Sequence, residues 1–418
     1  MIVSKDFILN LERKKSLEDV FQVVREIIDR VKRDGDKALL EITNEIDGVD
    51  LKYIRVPEEE FDKAYDVVED PVIDALELAK ENISNFHSIT SVDRDIRLDF
   101  DHMILGKKYT PINSAGIYIP GGRASYPSTA LMAGIPAKIA GVKRLVACTP
   151  PNKEGRVNAL TLVACDIVEF DEVYAVGGAQ AISALAYGTE TIERVDKIAG
   201  PGNKYVTAAK LLVQNDVAID MPAGPSEILV IADETANTEF IAYDVCAQLE
   251  HDPSSIAVVL CTTEKLAKEI ETRVGDLANE QMSSNFYTCV ADIDTAIAIS
   301  NSFAPEHLTM VFEGAEDRID EIENAGSVFI GNHSPVASGD YASGTNHILP
   351  TSGYAKIYSG LSVETFLKHI TYQMIKPEGL KMIGHAIMKL AEAEGLPFHK
   401  KSVKVRLKED PKGGDSGV

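Results

Sequence analysis

Apolar residues recur three and four apart along residues 16–46, SLEDVFQVVREIIDRVKRDGDKALLEITNEI, which predicts two amphipathic helices. Ser16 is placed to cap the first, and Gly35 breaks the run in two. Residues 71–88, PVIDALELAKENISNFHS, predict a further helix with proline in its first turn. After that the grammar changes to short apolar runs separated by helical ones. SAGIYIP reads as a strand, PGGRASYP as a loop, STALMAGIPAKIAGV as a helix opened by Ser128 or Thr129, and RLVACTP as a strand. The same alternation continues through ALTLVACDIV, EVYAVGG, AQAISALAYG, RVDKIAGPGN, KYVTAAKLLVQ and VAIDMP. A second series follows, from EILVIAD through TEFIAYDVCAQLEHD, IAVVLCTT, EKLAKEIETRVGDL, NFYTCVA, IDTAIAISNSFA and HLTMVF to SVFIGN.

Strands alternating with helices imply parallel sheets with right-handed crossovers, so the chain is of the α/β class. The expected organisation is an N-terminal arm of residues 1–14, a discontinuous α/β domain of 15–118 and 223–360, and a second α/β domain of 119–222. Residues 361–418 are expected to be helical, with a strand-like SVKVRL near the end and a disordered PKGGDSGV tail. The chain shows no internal repeat.

Length and composition agree with this: 418 residues, 45% hydrophobic and 26% charged, describe a soluble globular chain of two or more domains. A formal charge of −23 argues against nucleic acid and anionic lipid as partners. The N-terminus has neither a long apolar core nor a small-residue cleavage site, and no segment reads as a membrane span. Five cysteines, Cys148, Cys165, Cys246, Cys261 and Cys289, form no CxxC pair, which fits a reducing cytoplasm.

Several stretches carry chemistry-bearing side chains. FAPEHLTM sets Glu306 beside His307; neighbours in a strand point to opposite faces, so the two share a task only at the end of an element or by flanking one substrate. AQLEHDP places Gln248 and His251 three apart on one helix face, as in many metal sites, although His251 at a helix C-terminus also satisfies the helix dipole. SGDYASGTNHILPTSGY holds Asp340 and His347 and, lacking periodicity, is expected to be a loop; an Asx turn and a surface histidine serve as well as a ligand and a substrate contact. EGLPFHKK holds Glu394 and His399, neither of which stands out alone. Three glycine-rich turns follow strands, at 119–122, 176–180 and 199–203, but none matches GxGxxG. MPAGPSEILV places Ser226 and Glu227 before a strand without a GxSxG elbow.

Taken together, AGIYIPGGRASYPSTALMAGIPAKIAGV, VGGAQAISALAYGT, KIAGPGNKYV, DMPAGPSEILVIAD, AQLEHDP, FAPEHLTM, GDYASGTNHILPTSG and EGLPFH resemble the histidinol dehydrogenase family, in order and over nearly the whole chain. The resemblance implies two incomplete Rossmann-like domains with small terminal helical segments, an intertwined homodimer, one zinc ion per subunit and NAD⁺. It implies that Gln248, His251, Asp340 and His399 hold the zinc and that Glu306 and His307 are the catalytic pair. It also implies that Ser128, Ser226, His347 and Glu394 join the catalytic and zinc-holding residues around substrate, with Glu394 and His399 reaching a partner's site. Tyr118, Gln180 and Asn203 match NAD-contacting positions. The implied reaction takes L-histidinol through its aldehyde to L-histidine in two hydride transfers, the last step of histidine biosynthesis. Three rivals stand beside it. One is a zinc- and NAD-dependent dehydrogenase of a small sulfonated diol, which has less use for His347 and Glu394. The others are a zinc hydrolase, and a binding protein without turnover.

Overall fold

The computed structural model describes residues 2–13, 17–90, 95–121, 125–222, 224–278 and 284–408. The expected Ser16 cap, Gly122 of the first glycine-rich turn and the PKGGDSGV tail lie outside these residues. The described residues within Met1–Ser91 and Ile112–Phe366 form one compact unit, and those within Val92–Pro111 and Leu367–Val418 form a second.

Two five-stranded parallel sheets make the larger unit. In the first, β3 (Ser114–Tyr118), β4 (Arg144–Cys148), β5 (Glu172–Tyr174), β6 (Lys197–Ala199) and β7 (Ala218–Ile219) lie in the order β5-β4-β3-β6-β7. In the other, β8 (Glu227–Ala232), β9 (Ile256–Cys261), β10 (Phe286–Val290), β11 (His307–Val311) and β12 (Ser327–Ile330) lie in the order β10-β9-β8-β11-β12. Counted within each sheet both orders are 3-2-1-4-5, a doubly wound half with its switch point between the first and fourth strands. The repeat is one of topology, with no counterpart in residue identity.

Helices cover both faces of each sheet, so the strands are apolar on both sides. Leu145 and Ala147 of β4 pack into one core and Val146 and Cys148 into the opposite one. Ile228 and Val230 of β8 likewise face the helices Thr238–Leu249 and Glu264–Leu277, while Leu229 and Ile231 face the helix Ile293–Phe303. The N-terminal helical run spans Glu18–Asp47 and breaks at Gly35, where φ is +54°. Glycine is required there by conformation, while the Glu190 carboxylate, 2.2 Å from where a Cβ would lie, is the movable end of a side chain. The helix over 71–88 is present as Asp70–Thr90.

Several expectations need correction. The helix after the first glycine-rich turn opens at Pro127, with Tyr126 at the cap position, so Ser128 lies inside the first turn instead of capping it. Asp340 is not on a loop but on a short helix, Val336–Tyr341. SVKVRL is helical, within Pro397–Lys408, because it continues a helix opened by Pro397. The region after 360 also contains a strand, β13 (Leu367–Ile375), which pairs with β2 (Met103–Pro111) and extends a sheet begun by β1 (Ile96–Phe100). These three antiparallel strands, with the helices Pro377–Ala393 and Pro397–Lys408, are the smaller unit. Among the described residues no helix is long and apolar enough to cross a membrane.

Candidate active site

His307 is the first residue of β11 and pairs in register with Ile228 of β8 and Ser327 of β12. Strand alternation puts it on the same side as Val311, which packs into the core of the helix Thr238–Leu249. Glu306 stands just before the strand. The chain reaches it from the helix Ile293–Phe303 through Ala304, at φ +53°, and Pro305. Freed from the strand pattern, Glu306 turns back, and its Oε2 lies 3.6 Å from Nδ1 of His307. The pair therefore meets because one member lies outside the strand.

Both side chains are anchored by the backbone of a single residue, Glu227. The Glu227 N–H donates to Glu306 Oε2 at 2.7 Å, and the Glu227 carbonyl lies 3.2 Å from His307 Nδ1. Nδ1 can meet a carbonyl only as a donor, so the proton sits there and Nε2 keeps its lone pair. Nε2 is buried without a hydrogen-bond partner and lies 3.6 Å from Oδ1 of Asp340. Burial raises the Glu306 carboxyl to about 8, the more so with the Glu227 and Asp340 carboxylates nearby, and against the opposing pull of His307. Burial by itself would lower His307, but the Glu306 and Asp340 carboxylates outweigh it and the net direction is up.

Asp340 projects from the helix Val336–Tyr341. Its carbonyl accepts from His347 Nδ1 at 2.8 Å, which leaves Nε2 of His347 as an acceptor, and burial lowers His347 so that it stays neutral. Burial works against the Asp340 carboxylate, but His307, His347 and His251 outweigh it and hold it below the ordinary value. Gln248 is 2% exposed at the end of the helix Thr238–Leu249, and its amide nitrogen has no partner. His251 follows that helix, after Glu250 in the cap position. Asp244, one turn before Gln248, accepts the backbone N–H of Val336 and so ties the helix bearing Gln248 to the one bearing Asp340; burial raises it to about 6. The sequence reading passed over Asp244, because a carboxylate on a helix carries no local sign of a partner some ninety residues away.

Among the described residues no group of three or more His, Cys, Asp and Glu side chains is set to hold a metal ion. Gln248, His251 and Asp340 nevertheless make a fitting nitrogen and oxygen donor set. The unpartnered Gln248 amide nitrogen is a donor that calls for an acceptor, so a cation there would be held by the oxygen end of that amide. The His307 Nε2 lone pair facing a carboxylate at 3.6 Å also favours positive charge beside Asp340. Glu394, in the cap position of the helix Pro377–Ala393, and His399 belong to the smaller unit. Ser226 immediately precedes β8, and its carbonyl accepts from Ile256. Ser128 sits in the first turn of Pro127–Ala140, a helix joined to the His347 segment by Asn346 Nδ2 donating to the Met132 carbonyl at 2.5 Å.

Tyr118, Gln180 and Asn203 gather at the carboxyl ends of the β3 sheet, on its switch point between β3 and β6. The Tyr118 hydroxyl accepts from the Gly178 N–H at 3.1 Å. Gln180 is 1% exposed, with an amide oxygen lacking a partner. Asn203 caps the helix Lys204–Val213 through Oδ1, so only its amide nitrogen is left for a ligand. The turn before it depends on Gly200, at φ +116°, where a Cβ would lie 2.2 Å from the Tyr118 carbonyl oxygen. Gly200→Ala is expected to cost at least about 2 kcal/mol, from backbone strain and overlap together. Urea unfolding of the two proteins measures it, and equal midpoints would show that the turn relaxes freely.

The five thiols offer no nucleophile. Burial pushes each one up, Cys261 to about 12 and Cys148 and Cys165 further still.

Residues 11–407 match the family model described as histidinol dehydrogenase. A histidinol dehydrogenase of Archaeoglobus fulgidus is 63% identical over 401 residues, covering 96% of this chain and 98% of the relative. One of Methanocaldococcus jannaschii is 48% identical, covering 94% of each. The crystal structure of histidinol dehydrogenase from Elizabethkingia anophelis superimposes with a TM-score of 0.93 at 43% identity and covers 97% of both chains.

Proposed function

Since this chain belongs to the histidinol dehydrogenase family, we propose that it oxidises L-histidinol to L-histidine through the aldehyde, with two NAD⁺ as hydride acceptors. The single observation that carries the mechanism is the shared anchoring of Glu306 and His307 by the Glu227 backbone, through its N–H and its carbonyl. It leaves one imidazole nitrogen free to accept a proton while keeping a carboxylate within reach.

In the first oxidation His307 Nε2 takes the alcohol proton as the carbinol hydride leaves. The imidazolium so formed faces Asp340, whose carboxylate stabilises it. Nicotinamide supplies the hydride acceptor in both steps. The aldehyde must gain water before it can lose a second hydride. Glu306, once ionised, accepts a proton from that water as its oxygen bonds to the carbonyl carbon, while the His307 imidazolium formed in the first oxidation returns its proton to the carbonyl oxygen, giving the neutral hydrate. His307, neutral again, then takes the proton from one hydroxyl of the hydrate as the second hydride leaves, and the carboxylic acid formed loses its remaining proton to solvent to give the carboxylate. Buried, raised thiols support this hydrate route over a thiohemiacetal.

Gln248, His251 and Asp340, with His399 as the fourth, are the residues we assign to a zinc ion. Bound there, zinc supplies a net positive anchor that takes nitrogen donors of the amino alcohol and fixes its orientation. Neutral His347 and Glu394 are assigned to the substrate's imidazole and amino groups, with Ser128 and Ser226 as further contacts. Tyr118, Gln180 and Asn203 are assigned to NAD⁺. A homodimer with Glu394 and His399 contributed across the interface is supported by the smaller unit, whose strands leave Leu98, Phe100, Tyr372 and Met374 exposed, as they do Phe398 on its last helix. A cytoplasmic location fits five unpaired cysteines.

The test is NADH formation from histidinol and NAD⁺ before and after a chelator. Two NADH per histidinol, lost on chelation and restored by zinc, is the expected result. Turnover of a small sulfonated diol instead would move the substrate while keeping the site. Turnover indifferent to the chelator would remove zinc from the reading.

A further inference from the structure

One buried ion pair near the site has no part in the chemistry described so far. Glu227, whose backbone N–H and carbonyl anchor the Glu306–His307 pair, is 1% exposed, and its side chain ends in an ion pair with Arg13 of the N-terminal arm. Arg13 Nη1 donates to Glu227 Oε2 at 2.9 Å, and Nη2 donates to the Phe303 carbonyl at 2.5 Å. The guanidinium also stacks on the Phe303 ring, its carbon 3.7 Å from the centroid. Phe303 ends the helix that leads through Ala304 and Pro305 into Glu306. One guanidinium therefore holds both segments that position the pair: the end of the helix ahead of Glu306, and the residue whose backbone N–H and carbonyl receive the two side chains.

The surroundings close on this clamp. The Ser352 N–H donates to the Glu227 carboxylate, and the Ser352 hydroxyl donates to the Arg13 carbonyl at 3.3 Å. Ser352 holds a left-handed conformation at φ +55°, rare for serine, and the next residue, Gly353, is at φ +78°, where a Cβ would lie 3.0 Å from Arg13 Nη2. Such a conformation persists only where neighbouring contacts over-determine it. A carboxylate buried this deeply without its cation would lose its proton-free form or turn away, and the Glu227 peptide would move with it.

We propose that Arg13 is a positioning residue for the reaction, acting through Glu227 to fix the proton-handling geometry of Glu306 and His307. The proposal rests on the histidinol-oxidation reading of the site. A planar fork is needed because the two acceptors, Glu227 Oε2 and the Phe303 carbonyl, are gripped by separate nitrogens of one plane. Lysine can keep the charge but can hold only one of them in the same direction.

The experiment compares the wild-type holoenzyme with Arg13→Ala, Arg13→Lys and Glu227→Gln, using kcat, KM for histidinol, the pH profile of kcat, and rescue by guanidinium ion. Arg13→Ala is expected to lower kcat about 10–100-fold, the scale of a small displacement of reacting groups, with KM for histidinol within threefold. Added guanidinium is expected to restore activity to Arg13→Ala and to leave the wild type unchanged. Arg13→Lys should fall between the two, and Glu227→Gln should displace the limb of the pH profile that belongs to the pair. If Arg13→Ala does not fold, Arg13→Lys and Glu227→Gln decide. Unchanged kcat and pH profile in the folded variants, or losses that follow only the folded fraction without rescue, would overturn the proposal. A wild type that does not oxidise histidinol would instead overturn the functional reading, and this proposal with it.

Discussion

Replacing His307 by asparagine is expected to lower kcat for histidinol by about 10²–10⁴-fold, the usual contribution of a positioned proton acceptor. Asparagine suits the test because its amide nitrogen can still donate to the Glu227 carbonyl, as Nδ1 does at 3.2 Å. What disappears is the second ring nitrogen, the one without a hydrogen-bond partner. Both oxidations should slow together, because Nε2 takes a proton in each. Single-turnover NADH formation, followed from histidinol and separately from the aldehyde, resolves the two steps. A kcat within tenfold of wild type would remove His307 from the role of base and leave it as packing against Phe329, whose ring centroid is 5.9 Å away.

Glu306→Gln is expected to divide the two oxidations. Loss of the carboxylate removes the acceptor for the water proton, so aldehyde oxidation should fall by about 10²–10³-fold while alcohol oxidation persists. NADH per histidinol should then drop from two towards one as aldehyde accumulates. Burial raises Glu306 to about 8, so wild-type aldehyde oxidation should climb as pH rises through that value, and the variant should lack the climb. Stability should respond in the opposite sense. Between the ordinary value of 4.5 and about 8 the unfolded chain releases this proton while the folded chain keeps it. Folding therefore weakens as pH rises across that window, and the penalty is absent in acid, where both states are protonated. Glutamine carries no such penalty, so metal-free Glu306→Gln should melt above the wild type near pH 8 and level with it near pH 4.5. Equal melting points across the range would mean that Glu306 ionises normally, and the pH dependence of the second oxidation would need another source.

Apolar periodicity alone was enough to place the protein in its class. The near-continuous apolar runs in EILVIAD and IAVVLCTT became β8 and β9, which are buried at every residue because helices cover both faces of their sheet. The break at Gly35 and the turns after β5 and β6, with Gly178 at φ +66° and Gly200 at φ +116°, were legible because glycine marks a backbone conformation that local sequence can report. Residue type drew notice to Gln248, His251, Glu306, His307, Asp340 and His347 but left structural explanations for each open, and only the family resemblance assigned them roles; in the structure the electrostatics link most of them around Asp340. The helical conformation of Asp340 was not legible, because GDYASGTN has no apolar period and six residues make less than two turns. Strand β13 was missed because its apolar Ile370, Tyr372 and Met374 share one face that this chain leaves uncovered, so no buried pattern announced it.

What the linear order could not express is contact between distant segments. The 3-2-1-4-5 order of both sheets follows from where each crossover returns, and it sets Tyr118 and Asn203 on either side of one switch point. Glu227 lies 79 residues from Glu306, yet its backbone anchors the pair, and Arg13 lies 214 residues from the carboxylate it holds. Periodicity records which face of an element is buried, since that depends on neighbours three or four residues away. Which distant group waits on that face is decided only when the sheets close, where a buried charge must find its partner wherever the chain has brought one.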